Sequence, residues 1–159
     1  MSSTLYDAAL VGHIIGITIM AGTTFIDFIT FRAFWKAFIN DGPKSLIMED
    51  YLYKLQKFIG IGMLVILISG VIMMVKMHEI WGAQTWFRIK MGILLLIIIN
   101  GFVFRRILGS RLRKALAEYL PGKTAMERVY PLKRQFTAVQ VIQMLLFVII
   151  YVLSVLKFN

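Results

Sequence analysis

His13 is the residue of this chain best suited to bind a metal or a prosthetic group. It lies in a long apolar run between Gly12 and Gly16, and imidazole is a common ligand of iron and other transition metals. The two glycines either allow close packing of this segment on another helix or leave room for a flat cofactor. A histidine that only donates or accepts a hydrogen bond between helices is the third interpretation, and the sequence leaves all three open.

A second group of candidate residues opens a later apolar run, where Trp86, Arg88 and Lys90 alternate along the chain. Arg and Lys pair with carboxylates, so these cations beside a ligating histidine would suit a dianionic ligand such as a porphyrin with two propionates. In the plainer interpretation Lys90 extends to a membrane surface, where Trp86 anchors the segment.

The segment Met73-Met74-Val75-Lys76-Met77-His78 combines thioether and imidazole groups, which Cu(I) prefers as ligands. Methionine also fills gaps in apolar helices, and no Met-x-x-Met spacing repeats here. The segment is therefore either a candidate copper site or an ordinary part of a helix.

Asp27 is an acid within the same apolar run as His13. On a helix the two residues share a face but lie about 20 Å apart at 1.5 Å per residue, so they belong to two different sites. An ionisable group in a membrane needs a partner, which favours a structural role and leaves a proton relay as the alternative. The candidate partners are Arg32, Lys57, Arg105 and Gln140.

These residues are carried by four apolar runs, at 8–31, 58–75, 86–104 and 136–156. Each is close to the ~20 residues that cross a bilayer as a helix. With 59% hydrophobic and 16% charged residues, the chain is not an ordinary soluble domain. We predict one all-α integral membrane domain over 1–159, a four-transmembrane-helix bundle. The third helix is expected to extend to about residue 120, the alternative being a solvated basic loop.

Charge distribution predicts the orientation of the bundle. Of the 18 Lys and Arg residues, 14 lie in the first and third connections between the runs. By the positive-inside rule these connections are cytoplasmic, and both termini lie on the outer, periplasmic side. The net charge of +10 then reflects topology and contact with anionic lipid, and no nucleic-acid partner is expected. The absence of cysteine excludes disulfides, thiolate metal sites and cysteine nucleophiles.

Two stretches resemble a known family. The first run contains His13-Ile14-Ile15 and then Met20-Ala21-Gly22, and the third opens with Trp86-Phe87-Arg88-Ile89-Lys90 before a leucine-rich segment. This pattern resembles the HemJ-type protoporphyrinogen IX oxidases, small bacterial membrane proteins, with a wider relation to CopD-like membrane proteins. The chain differs from that family at Ile19, where the family has tryptophan, and at Asn100-Gly101, where it has Tyr-His.

The resemblance implies a heme-b-binding protein of the bacterial inner membrane in which His13 ligates the heme iron. A second axial ligand would be His78, a methionine or none. Gly16 and Trp86 would lie beside the cofactor, and self-association through glycines of the second run would shield the heme from lipid.

The same resemblance implies an oxidoreductase of porphyrin biosynthesis. Lys90 and Arg88 would then be the catalytic residues, because they would hold a propionate or the porphyrinogen. Electrons would pass from porphyrinogen through heme to a membrane acceptor such as a quinone. The alternatives are a copper-handling CopD-like protein and a non-catalytic accessory subunit of a membrane complex.

Overall fold

The computed structural model of the chain describes residues 3–41, 46–81, 84–119 and 126–156, except for the side chains at 41–51, 53 and 77–81. All of these residues apart from Gln84 are helical. The predicted all-α class is therefore confirmed for the described part of the chain.

Five α-helices and one π-helical segment form the fold. The α-helices are α1 (Ser3–Asp41), α2 (Leu46–Trp81), α3 (Thr85–Ile98), α4 (Arg105–Tyr119) and α5 (Met126–Leu156), and the π-helical segment Ile99–Phe104 joins α3 to α4. Four stretches are long and apolar enough to cross a membrane: Ser3–Asn40, Lys54–Lys76, Thr85–Tyr119 and Met126–Leu156. The four predicted spans are thus confirmed by length and composition, which indicates a multi-pass membrane protein.

The helices are longer than the apolar runs that predicted them. α1 continues past the first run to Asp41, and α5 begins at Met126, well before its run. Hydropathy detects only the part of a helix suited to hydrocarbon, whereas polar turns continue the same helix beyond it. The expected extension of the third helix is confirmed, since α4 continues it to Tyr119.

The helices alternate in direction along the bundle. α1 packs on α2 and α5, and α5 packs on α3, the π-helical segment and α4. In the described part of the chain, α2 packs extensively on α1 alone. We call the end where α1 begins and α5 finishes the terminal end. The opposite end is the basic end, and its described cations include Arg32, Lys36, Lys54, Lys57, Arg105, Arg106, Arg111, Arg113, Lys114, Arg128, Lys133 and Arg134.

A glycine contact sets the distance between α1 and α2. A Cβ atom on Gly16 would lie 3.1 Å from the carbonyl oxygen of Gly62, and one on Gly62 would lie 2.9 Å from the amide nitrogen of Met20. These neighbours are backbone atoms, which cannot move aside without separating the helices. The two glycines therefore allow the close helix contact that small residues give in membranes.

Two apolar clusters fill the bundle. One, nearer the terminal end, comprises Met20, Met63, Ile66, Ile97 and Phe147. The other lies at the basic end and comprises Phe31, Phe34, Trp35, Phe38, Leu112, Ala115, Leu116, Val129 and Phe136. Along α1, the α3–α4 segment and α5, buried polar residues lie between the two clusters. We call this set the polar layer: Thr24, Asp27, Asn100, Arg105, Gln140 and Gln143.

The outside of the bundle is apolar. More than half of the side-chain surface of Ile14, Ile68, Val71, Val148 and Val155 is exposed, among many others. Exposure of this extent would be unfavourable in water but is compatible with contact to lipid tails.

Candidate functional site

His13 lies at the contact between α1 and α2. Its Nδ1 is 3.0 Å from Oγ of Ser69. Ser69 in turn donates to the carbonyl oxygen of Val65 at 2.6 Å. A Cβ atom on Gly70 would lie only 3.6 Å from Cε1 of His13, so the imidazole packs against α2 at this glycine. The hydrogen-bonding interpretation of this histidine is therefore satisfied at Nδ1.

The same hydrogen bond bears on which ring nitrogen would be the ligand if His13 bound a metal. Metal-binding histidines use one ring nitrogen as ligand while the other is held by a neighbouring polar group, which fixes the orientation of the ring. With Nδ1 held by Ser69, Nε2 is the nitrogen that could bind iron. An imidazole nitrogen is a usual ligand of heme iron, so the side chain of His13 is chemically suited to a site with one histidine ligand.

The room for a cofactor does not lie at Gly16. Its Cβ position is closed by Ile66 and Gly62 of α2, so this glycine serves helix packing. We expected Gly16 to lie beside a cofactor, but in the structure its open side contacts α2 instead. The side towards α3 differs, because the described parts of α3 and α2 do not pack extensively on each other.

Of the residues that open α3, the structure brings Lys90 towards His13. Lys90 is half-buried and close enough to the imidazole for an electrostatic interaction. Arg88 is exposed. Trp86 is buried, and its Nε1 donates to Oε1 of Gln84 at 2.5 Å. A tryptophan that anchors a helix at the membrane surface is exposed there, whereas Trp86 is buried. Its hydrogen bond to Gln84 holds the start of α3 instead.

The candidate copper segment does not converge among its described side chains. Met73 is buried, whereas Met74 is exposed, as expected for neighbours on a helix. The side chains of Met77 and His78 lie outside the described residues, and so does the role of His78 as a second axial ligand. No group of three or more His, Cys, Asp or Glu side chains in the described part could hold a metal ion.

The most extensive buried polar contact lies at Asp27. Arg105 Nη2 is 2.5 Å from Asp27 Oδ1, and Gln140 Nε2 donates to Asp27 Oδ2 at 2.5 Å. All three side chains are at least nine-tenths buried. Arg105 and Gln140 were two of the four candidate partners of Asp27, and both contacts are confirmed.

The π-helical segment explains how Arg105 reaches Asp27. The backbone amide of Arg105 donates to the carbonyl oxygen of Asn100, five residues earlier, which is the spacing of a π turn. In an α-helix of 100° per residue, these two residues would point in different directions. The wider turn brings Asn100 and Arg105 to the same interior face. Nothing in the sequence pattern indicated this turn.

Asn100 completes the polar layer on the side of α5. Its Nδ2 donates to Oε1 of Gln143 at 2.7 Å and to the carbonyl oxygen of Val139 at 3.0 Å. The predicted interhelical hydrogen bonds of Asn100, Gln140 and Gln143 are confirmed. The layer therefore joins α1, the α3–α4 segment and α5 at one level of the bundle.

Two adjoining cavities open beside this layer. One, of about 250 Å³, is bordered by Asp27, Arg105 and the aromatic cluster of the basic end. The other, of about 270 Å³, lies between α2 and the π-helical segment. Gln56, Arg105 and Arg106 border both cavities. They lie where α2 packs extensively on α1 alone among the described residues.

Sequence reasoning therefore placed the candidate ligands at the terminal end, whereas the described cavities lie at the basic end. The signal that could have found them is the pair of arginines at 105 and 106 directly after an apolar run that already contains Asn100. In comparisons with known proteins, no family model, no curated protein and no solved structure matches this chain.

Proposed function

We propose that this chain is a heme-b-binding membrane protein of the HemJ-like type, in which His13 is the iron ligand. The observation that carries the proposal is the contact of His13 Nδ1 with Ser69, which holds the ring and leaves Nε2 as the ligand atom. A bound heme would supply one-electron redox chemistry at its iron.

A further feature supports the proposal. Lys90 lies within electrostatic range of His13, as required for a cation that pairs with a propionate of the group ligated by the histidine. In this proposal Ser69 orients the imidazole, Lys90 binds a carboxylate, and Arg88 contributes a second cation nearer the surface.

We extend the proposal to the reaction and the location. Lys90 and Arg88 would hold the carboxylates of a porphyrinogen, whose electrons would leave through the heme to a membrane acceptor such as a quinone. The basic end would face the cytoplasm, and both termini would lie on the periplasmic side of the bacterial inner membrane. The charge distribution supports this orientation, since 14 of 18 Lys and Arg residues lie in connections at the basic end.

The test is the visible spectrum of the detergent-purified protein after expression with a heme precursor. We expect a Soret band and sharp bands on dithionite reduction, with heme near one equivalent per chain. His13→Ala should abolish the Soret band, because the iron loses its protein ligand. Ser69→Ala should keep the heme but shift its reduction potential, because Nδ1 loses its partner.

His78→Ala provides the matched control, since the chain has two histidines. Retention of heme in this variant with loss in His13→Ala assigns the ligand to His13. Full heme occupancy in His13→Ala would overturn the assignment. A colourless wild-type protein would overturn the heme proposal as a whole.

A further inference from the structure

Arg105 has more hydrogen-bonding capacity than its partners use. A guanidinium carries five N–H donors, and Nε of Arg105 has no hydrogen-bond partner among the described residues. Nη2 is engaged in the ion pair with Asp27 Oδ1, at 2.5 Å. The side chain is only 6% exposed, so water does not compensate the Nε donor as it would at a surface. A buried guanidinium with an unused donor indicates a ligand that accepts hydrogen bonds.

Asp27 fixes this guanidinium in place. Its carboxylate pairs with Arg105 and is held by Gln140 on the opposite side. The centroid of the Phe136 ring lies 5.7 Å from Cζ of Arg105, so this ring covers another side of the guanidinium. Arg105 therefore borders both cavities in a fixed orientation, which is the preorganisation that a binding site needs.

The charge of the cavities favours an anion. Arg105 and Arg106 border both of them. Among the described residues that border them, Asp27 is the one acid, and it already pairs with Arg105. Arg106 therefore adds a positive charge that Asp27 does not balance, and this charge favours an anionic ligand over a cationic one.

The residues that border the second cavity favour an anion that also carries an apolar group. Ile59, Gly60, Met63 and Phe102 border the second cavity between α2 and the π-helical segment. Phe102 is also 48% exposed, so this cavity reaches the apolar outer surface of the bundle. A ligand that combines an anionic headgroup with an apolar chain would enter from the bilayer, not from water.

We propose that the two cavities form a binding site for an anionic phospholipid. Its phosphate is held by Arg105 and Arg106, and one acyl chain lies in the groove between α2 and the π-helical segment. Basic pockets between transmembrane helices at the side of the membrane that carries anionic lipid are typical sites for such headgroups. This site is separate from His13 and does not depend on the heme proposal.

The experiment is native mass spectrometry of the full chain, released from nanodiscs that contain phosphatidylcholine and phosphatidylglycerol in equal amounts. We expect about one phosphatidylglycerol per chain to remain bound. Arg106→Gln, at an exposed position, should weaken this binding about tenfold, the effect of one charge-assisted hydrogen bond. The control is Arg111→Gln, also exposed on α4 but not on either cavity, which should bind as the wild type does.

A second variant tests the acyl groove without touching a charge. A Cβ atom on Gly60 would meet nothing within 4 Å, so Gly60→Leu adds its side chain at the second cavity without a backbone clash. We expect it to displace the lipid while the helix content stays unchanged. Gly92→Leu is the matched control, because Gly92 is equally open and lies away from both cavities.

Three results would overturn the proposal. Equal retention of phosphatidylcholine and phosphatidylglycerol would exclude an anion site. Equal losses in the Arg106 and Arg111 variants would reduce the effect to the general positive charge of the basic end. Displacement of the lipid by millimolar glycerol phosphate, which has no acyl chain, would assign the site to a soluble phosphate ester.

Discussion

At the scale of single residues, the polar layer shows what a charge inside a membrane protein requires. Asp27 is 1% exposed and has a partner on each of two other helices, Arg105 and Gln140. A buried ion pair gains little net free energy over an apolar pair, but the loss of one member leaves an uncompensated charge. The loss of either Asp27 or Arg105 should therefore cost more stability than the intact pair adds.

The first stability prediction concerns this pair. Asp27→Leu should lower the free energy of unfolding by about 3 kcal/mol, because Arg105 would remain buried without its counterion. The double variant Asp27→Leu with Arg105→Leu should be clearly more stable than the sum of the two single variants predicts. Reversible unfolding in mixed detergent micelles gives the four free energies. Strict additivity would show that the two side chains are not coupled.

At the scale of elements, the contact between α1 and α2 and the π turn position the two candidate sites. Gly16 and Gly62 let α1 and α2 approach until their backbones touch, and this contact presents Ser69 to His13. The π turn directs Arg105 to the interior, where an α-helical continuation would have turned it away. Each site thus depends on one local feature of helix geometry.

The prediction at this scale is that Gly16→Leu disrupts the α1–α2 contact. Its Cβ would lie 3.1 Å from a backbone oxygen of α2, so the helices must separate, at a cost of about 1–3 kcal/mol or more. Thermal unfolding followed by circular dichroism should show a lower midpoint. Gly22→Leu, on the same helix with nothing within 4 Å of its Cβ position, should leave the midpoint unchanged or raise it slightly. Equal midpoints for the two variants would argue against a close contact at Gly16.

At the scale of the whole molecule, the bundle separates a terminal end, with His13 and Lys90, from a basic end that contains both cavities. α2 connects them, since Ser69 contacts His13 at one end and Gln56 borders both cavities at the other. If the basic end faces the cytoplasm, its cavities meet the leaflet in which anionic lipids attract positive charge.

This orientation predicts the labelling pattern of single cysteines, which the chain otherwise lacks. In intact cells, Ser3→Cys should react with a membrane-impermeant maleimide, because it lies exposed at the start of α1. Ser110→Cys, exposed on α4, should react only after the membrane is permeabilised. Labelling of the Ser110 variant in intact cells would reverse the proposed topology.

The sequence predicted more of the fold than of the sites. The four spans, the continuation of the third helix to Tyr119 and the hydrogen-bonding roles of Asn100, Gln140 and Gln143 were all expected and are confirmed. The heme assignment of His13 and Lys90 stays a prediction. Helix packing at Gly16 was one of the interpretations that the sequence offered and is confirmed, but the Gly-x-x-x-Gly pattern predicts a close approach without saying which molecule approaches.

The sequence and the tertiary structure of this protein thus determine different features. The sequence by itself determined the membrane spans and the unequal distribution of charge, because the transfer of a segment into a bilayer depends on that segment alone. Only the tertiary structure decided that Arg105, rather than Arg32 or Lys57, pairs with Asp27. That choice depends on how the helices are rotated against each other, and the π turn, which hydropathy does not register, changes the rotation within a single helix.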